Sequence, residues 1–419
     1  MLVLVVALAG VAMLGAGVAP PRDPLNARLD QLTAGQRFDL VQWEVDALSG
    51  KVGDLLNSPA ADLSPVEADA LVRGYISAAQ RAGQLEGEIE RIFSDPQVAD
   101  PDAASADQRA ELATIRRQLD QQASTVEAIL QGQLSQIIRQ EGLETAGMVW
   151  PPPQMRFTEP PQLLVVSARD RIQRLASIDL QADLDTAGRD RLENAVKEQE
   201  NLSAYVTGIG GYGVFPTMVV DRYGLPWTAE TIAHEWVHTY LAFRPLGWAF
   251  LQGGDAITMN ETVASIAGEE MGRMLLQAYY PDLVPPPPPE DNQSTAPAAE
   301  EADTFDFGRE MHATRVAVDD LLATGFVDEA EAFMEARRQT FLENGYRLRV
   351  LNQAYFAFHG SYATGPAATD PIGPKLERLR ALSPNLSAFM HLVSGLTSAA
   401  ELDQVLAQQE ALHGGAAQP

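Results

Sequence analysis

Two histidines four positions apart, His234 and His238, stand with Glu235 directly after the first, in the pattern His-Glu-x-x-His. On an α-helix, residues at that spacing lie about 40° apart around the axis, so both imidazoles leave one face and can share a metal ion. Glu235, beside His234, can reach a water on that ion without ligating it, which is the position of a general base. The flanks suit a helix. Thr228 is the expected N-cap, Glu230 puts negative charge in the first turn, and Arg244-Pro245-Leu246-Gly247 is the expected stop. The plain alternative is a solvated helix whose histidines do nothing. The scarcity of histidine, six in 419 residues, weighs against chance.

Two ligands hold zinc weakly, so a third is expected nearby. Glu261, within Asn260-Glu261-Thr262-Val263-Ala264-Ser265, lies on the next predicted helix, about Ala256 to Tyr280. A helix that turns back after the first would present this carboxylate from an antiparallel neighbour. Three protein ligands leave a fourth position for water. The chain has no cysteine, which excludes disulfides, thiolate metal sites and cysteine nucleophiles. Any metal must use His, Glu or Asp.

Over roughly Thr228 to Gly272 this pattern resembles the gluzincin metallopeptidases, the thermolysin-like superfamily. The resemblance implies Zn2+, held by His234, His238 and Glu261, and peptide-bond hydrolysis with Glu235 as base. It also implies a Tyr or His from the downstream helical region that hydrogen-bonds the oxyanion. His359 and Tyr362 are the candidates, with Tyr355 behind them. The three are spaced four and three apart, which puts them on one side of a continuing helix. Aromatic residues at that spacing more often belong to a core. His312 and Arg315 are second choices, and His391 and His413 look incidental. The chain departs from the family pattern at Ser265, where an aspartate often partners the first histidine; Glu269 or Glu270 is the expected substitute. Endopeptidase and aminopeptidase readings both stay open. No Gly-x-Met-Glu-Asn motif is present, and no carboxylate is assignable to a free amine.

The net charge of −27, from 57 acidic and 30 basic side chains, repels phosphates, so nucleic acid is excluded as a partner. It mildly favours basic substrates but by itself describes a solvated acidic surface. Residues 1–20 are expected to be an N-terminal membrane anchor, with a cleaved signal peptide as the rival. The apolar run Met1 to Ala19 supports both, while the lack of a preceding Lys or Arg and Pro20 after the cut favour the anchor. The soluble part would then be extracytoplasmic.

The fold class expected is α+β, predominantly α. Residues 21–149 read as a helical scaffold, with a capping-box start at Ser64-Pro65-Val66-Glu67 and one long amphipathic helix from Asp107 to Glu141. Trp150-Pro151-Pro152-Pro153 opens a zincin-like core, 150–283. In it Leu163–Ser167 and part of Ile172–Leu184 read as strands, and Thr186–Leu202 as a helix. The glycines of Gly208–Val214 precede a β-type run rather than a helix, which argues against a dinucleotide loop. They fit a hairpin or edge strand, and the family resemblance gives such a strand the task of holding extended substrate. A proline-rich linker, 284–303, leads to a C-terminal helical domain, 304–413, and a tail, 414–419. There the helices expected are about Thr304–Ala323, Asp328–Glu343, Arg347–Phe358, Lys375–Leu382, Leu386–Leu392 and Ala399–Leu412.

The sequence thus reads as a membrane-anchored zinc peptidase acting on peptide or protein substrates. The competing reading is an inactive zincin-like scaffold or interaction protein. An intramembrane protease is set aside, because Thr228–Arg244 is too polar for a bilayer.

Overall fold

The computed structural model describes residues 24–57, 60, 62–95, 97–286, 305–363 and 365–415. The expected anchor, the proline-rich stretch from residue 287 and the tail from residue 416 lie outside the described residues. The described residues are predominantly helical, with two small three-stranded sheets among them. Among the described residues no helix is long and apolar enough to cross a membrane.

Helices α1 (Pro24–Leu32), α2 (Leu40–Asn57), α3 (Pro65–Ser94), α4 (Pro101–Ala104) and α5 (Ala106–Gln140) come first. The capping box forms as its residues require. Ser64 Oγ accepts the Glu67 N–H, and the Glu67 carboxylate accepts the Ser64 N–H. Val72 and Ile76 of α3 meet Val126, Leu130 and Leu134 of α5 in the main core. Glu127, fully buried on α5, accepts from Lys51 Nζ at 2.6 Å, Arg156 Nη1 at 3.1 Å and the Phe157 N–H at 2.9 Å. That carboxylate ties α2 and the first strand to the long helix, and two cations plus an amide satisfy its buried charge.

Next come β1 (Met155–Phe157), β2 (Gln162–Ser167), β3 (Arg174–Leu180), α6 (Thr186–Glu200), β4 (Ser203–Gly208), β5 (Gly211–Tyr212) and β6 (Thr217–Val219). Strand β2 is central in the antiparallel order β3-β2-β4. Its run Leu164-Val165-Val166 is buried on both faces. Leu164 and Val166 pack on Leu192 and Val196 of α6, while Val165 meets Ala354 and Phe358 from the C-terminal region. Cover on both sides explains why this strand reads as continuous apolar sequence rather than an alternation. The second sheet has the order β1-β6-β5, with β5 on its edge.

Helices α7 (Leu225–Leu241), α8 (Pro245–Phe250) and α9 (Asp255–Tyr279) follow, then α10 (Phe307–Ala323), α11 (Val327–Glu343), α12 (Gln353–His359), α13 (Ile372–Leu382), α14 (Leu386–Ser394) and α15 (Ala399–Gly415). Trp236, Val237, Met259, Val263 and Met271 of α7 and α9 share one core with residues of α3, α5, α13 and α14. The two helices that carry the metal-type residues are therefore buried between N-terminal and C-terminal helices. The helix expected from Arg347 begins only at Gln353. Asn352 Oδ1 caps it through the Tyr355 N–H, and Arg349 is instead drawn off to the Glu193 carboxylate.

Candidate metal centre and its cleft

Helix α7 begins a turn before the expected cap. Pro226 is tolerated in its first turn, Thr228 is already interior, and the Thr228 hydroxyl donates to the Gly224 carbonyl. The helix ends at Leu241, and Arg244-Pro245 opens α8 instead of a loop. Helix α9 returns antiparallel against α7 at very close range. A Cβ at Gly268 would stand 2.9 Å from His234 Cα, and one at Gly272 would stand 2.7 Å from Glu230 Cα.

This approach brings the three expected ligands together. The Nε2 atoms of His234 and His238 are 3.1 Å apart, and Glu261 Oε2 lies 3.8 Å and 3.5 Å from them. Zinc held tetrahedrally at about 2.0–2.1 Å separates its ligand atoms by about 3.3–3.4 Å, so the triangle has the size of one face of such a site. Glu261 Oε2 is buried and has no hydrogen-bond partner among the described residues, which a cation would supply. The set could hold a metal ion. Asn260 Oδ1 lies 2.7 Å from His238 Nδ1, and an amide oxygen there accepts the Nδ1–H, so that Nε2 is the nitrogen turned toward Glu261.

The electrostatics are those of a tightly coupled cluster. Burial works against charge on His238, but Glu261 outweighs it and lifts that imidazole to about 9. Burial also opposes charge on Glu261, yet the two imidazoles hold it well below the usual carboxylate range. Glu235 is 7 % exposed, and burial raises its pKa. A Cβ at Gly211 would collide with the Glu235 carboxylate, and one at Gly213 would lie 2.7 Å from His238 Cβ. The glycine tract is thus the surface against which the two site residues pack.

Neither Glu269 nor Glu270 partners His234. They pair with Arg273 and Arg380, and the Ser265 hydroxyl bonds back to the Glu261 carbonyl of its own helix. The shared face expected of Tyr355, His359 and Tyr362 does not form, because α12 ends at His359 and Tyr362 arrives on the turn beyond. Tyr362 lies next to the metal-type residues, its ring 6.4 Å from that of His234. The charge of Glu261, reinforced by burial, keeps its hydroxyl protonated. His359 packs against Tyr355, ring centres 4.2 Å apart, with Nε2 buried and burial lowering its pKa to about 4. His312 and Arg315 bond carbonyls at Ala368 and Ala367, and His391 and His413 bond carbonyls of their own helices.

A cleft of about 800 Å³ opens over the cluster, of a size that takes a peptide-like ligand. Its walls include Glu235, Glu261, His359 and Tyr362, the edge strand β5, and an apolar side with Trp150, Phe243 and Phe250. Arg174 lines it from β3. Its Nη2 donates to Ser361 Oγ at 2.9 Å and so braces the turn that carries Tyr362. No family model, no curated protein and no solved structure matches the chain. Function must therefore be argued from this geometry.

Several cleft residues were not legible beforehand. Asn260 stood beside Glu261 in the sequence and was the one with a usable signal. Leu40 and Glu44 of α2 also line the cleft, from a region that reads as scaffold. Glu44 is 8 % exposed, and burial raises its pKa to about 7 against a bond from the Phe215 N–H that lowers it. An unfolded glutamate loses its proton near 4.5, so the folded state binds more protons between that value and 7. Stability must then fall as pH rises through this window. Glu44→Gln keeps the acceptor and removes the charge. The variant is expected to match the native chain in urea denaturation near pH 5 and to exceed it at pH 8, by at most about 3 kcal/mol. Parallel stability–pH curves for the two proteins would contradict this account.

Proposed function

We propose that the chain is a zinc-dependent peptidase. The observation that carries this is the triangle of His234, His238 and Glu261 beside a buried carboxylate, at the floor of a peptide-sized cleft. When bound, a divalent ion would supply Lewis acidity, lowering the pKa of a water to about 7 and polarising a carbonyl. His234, His238 and Glu261 hold the ion, and Asn260 orients His238. Glu235 takes the proton of the attacking water and passes it to the departing amine. Tyr362, kept protonated beside Glu261, donates to the oxyanion that forms at the scissile carbonyl. His359, neutral and packed against Tyr355, shapes the wall rather than moving a proton. Strand β5, on the edge of its sheet and in the cleft wall, offers backbone groups to an extended peptide.

The protein is expected to bind one zinc per chain and to cleave members of a mixed peptide library, read by mass spectrometry. A chelator stops the cleavage and added zinc restores it. His238→Ala should lose stoichiometric zinc by elemental analysis. Full zinc loading without cleavage of any peptide would overturn the peptidase reading and leave a metal-binding interaction protein. We also propose that residues 1–19 attach the protein to a membrane; recovery of the full chain in the soluble fraction after carbonate washing would refute that.

A further inference from the structure

One wall of the cleft carries charge that the peptidase chemistry does not use. Glu44 reaches it from α2 and Asp179 from β3. Tyr212 of β5 donates to Asp179 Oδ2 at 2.7 Å and feels the charges of Asp179, Glu44 and Glu235. Glu44 is more than nine-tenths buried, and the Phe215 N–H bonds its carboxylate. Among the described residues neither Glu44 nor Asp179 is in an ion pair. Arg37, whose charge Asp179 feels, spends its guanidinium on Asp30 and Thr33. The cleft's own arginine, Arg174, is placed beside Glu261 and Tyr362 instead.

Taking carboxylates out of water without a cation is costly, and here hydrogen bonds from Phe215 and Tyr212 offset only part of that cost. Burial raises the pKa of both groups, and a cation brought beside them would favour their charged forms. They come from elements far apart in sequence, both line the cleft, and both act on Tyr212. Resting on the peptidase reading, we propose that Glu44 and Asp179 form an anionic subsite that receives a cationic group of the substrate. Two sources offer that chemistry, the α-ammonium of a peptide's first residue and a Lys or Arg side chain. The charge of −27 on the whole chain adds a field that draws such substrates in.

The test uses the full chain carrying Glu235→Gln and loaded with zinc, so that binding is read without turnover. Three forms of one short peptide are titrated by calorimetry. One is neutral with an acetylated N-terminus, one is neutral with a free N-terminus, and one is acetylated with a single lysine. At least one cationic form should bind about 10-fold or more tighter than the neutral form, and which one does so identifies the source. Adding Glu44→Gln and Asp179→Asn, which keep the acceptors for Phe215 and Tyr212, should shrink that advantage below about 3-fold. Circular dichroism and zinc content check that the variant is folded. Equal binding of all three forms, no binding of any, or an advantage that survives the double substitution would overturn the subsite. Cleavage assays on the native chain separate the two claims. If the neutral peptide is cut as fast as the others, the peptidase stands and the subsite falls. If nothing is cut while the cationic preference in binding persists, the subsite stands and the peptidase reading falls.

Discussion

Glu235→Gln should leave the divalent ion in place and lower peptide hydrolysis by roughly 10²–10⁴-fold, the range expected when a positioned general base is removed. The amide has nearly the shape of the carboxylate, so the packing of Gly211 and Gly213 against it is undisturbed. It also carries no charge, and burial of charge is what raises the Glu235 pKa, so the variant should be no less stable than the native chain. Elemental analysis and kcat on a cleavable peptide check both halves. A kcat within about 5-fold of the native value would remove Glu235 from the mechanism. The glycine strand supplies an independent check that leaves the carboxylate chemically intact. Gly211→Ala places a methyl group where the Glu235 carboxylate now lies. The flexible end of that side chain must swing away, so kcat should fall while zinc binding persists. Loss of zinc from Gly211→Ala, with activity per bound zinc unchanged, would mean that the strand supports the metal rather than the base.

What could be read from the sequence follows from how far apart the interacting residues are. His234, Glu235 and His238 are fixed by helix periodicity alone, and Glu261 needs one further assumption, that the next helix folds back. Strand β2 was legible because a short apolar run with breakers on both sides has few alternatives. The wrong helix start came from a local rule applied where two positions compete. Thr228 has a good capping side chain, but Leu225-Pro226-Trp227 can also be helical, and burial of Leu225 in the main core decides for the longer helix. The single helical face joining Tyr355, His359 and Tyr362 does not form because Gly360 ends α12, so His359 enters the cleft wall from the helix against Tyr355 and Tyr362 from the turn beyond it. Glu44 had no signal at all. Its role depends on meeting Phe215 and the Asp179–Tyr212 pair, which only tertiary packing creates. The tie that sets α2 there is the Lys51–Glu127 pair, equally distant in sequence.

Gly268→Ala should weaken zinc binding by about 10–100-fold while lowering the stability of the fold by at most about 2 kcal/mol, although position 268 touches no ligand atom. In the middle of α9, alanine is favoured over glycine by about 1 kcal/mol, so local helix propensity predicts a gain. Against that, the new Cβ would lie 2.9 Å from both Cα and Cβ of His234. Carbon atoms in contact prefer about 3.5–4.0 Å, and the backbone of α7 cannot rotate aside as a side-chain tip can. The helices must part by roughly 1 Å, at an overpacking cost of about 1–3 kcal/mol that cancels or exceeds the propensity gain. The larger effect falls on geometry. Glu261 is on α9 and the imidazoles are on α7, so separation opens the 3.5 Å and 3.8 Å edges of the ligand triangle while the 3.1 Å edge within α7 is kept. A site tuned to about 0.5 Å then loses its third ligand first. Gly74→Ala on α3, where a Cβ meets nothing within 4 Å, is the matched control and should gain about 1 kcal/mol with zinc affinity unchanged. Competition titration with a chromogenic chelator and urea denaturation measure the two quantities. If Gly268→Ala bound zinc as tightly as the native chain, close approach of the helices would not be what sets the site.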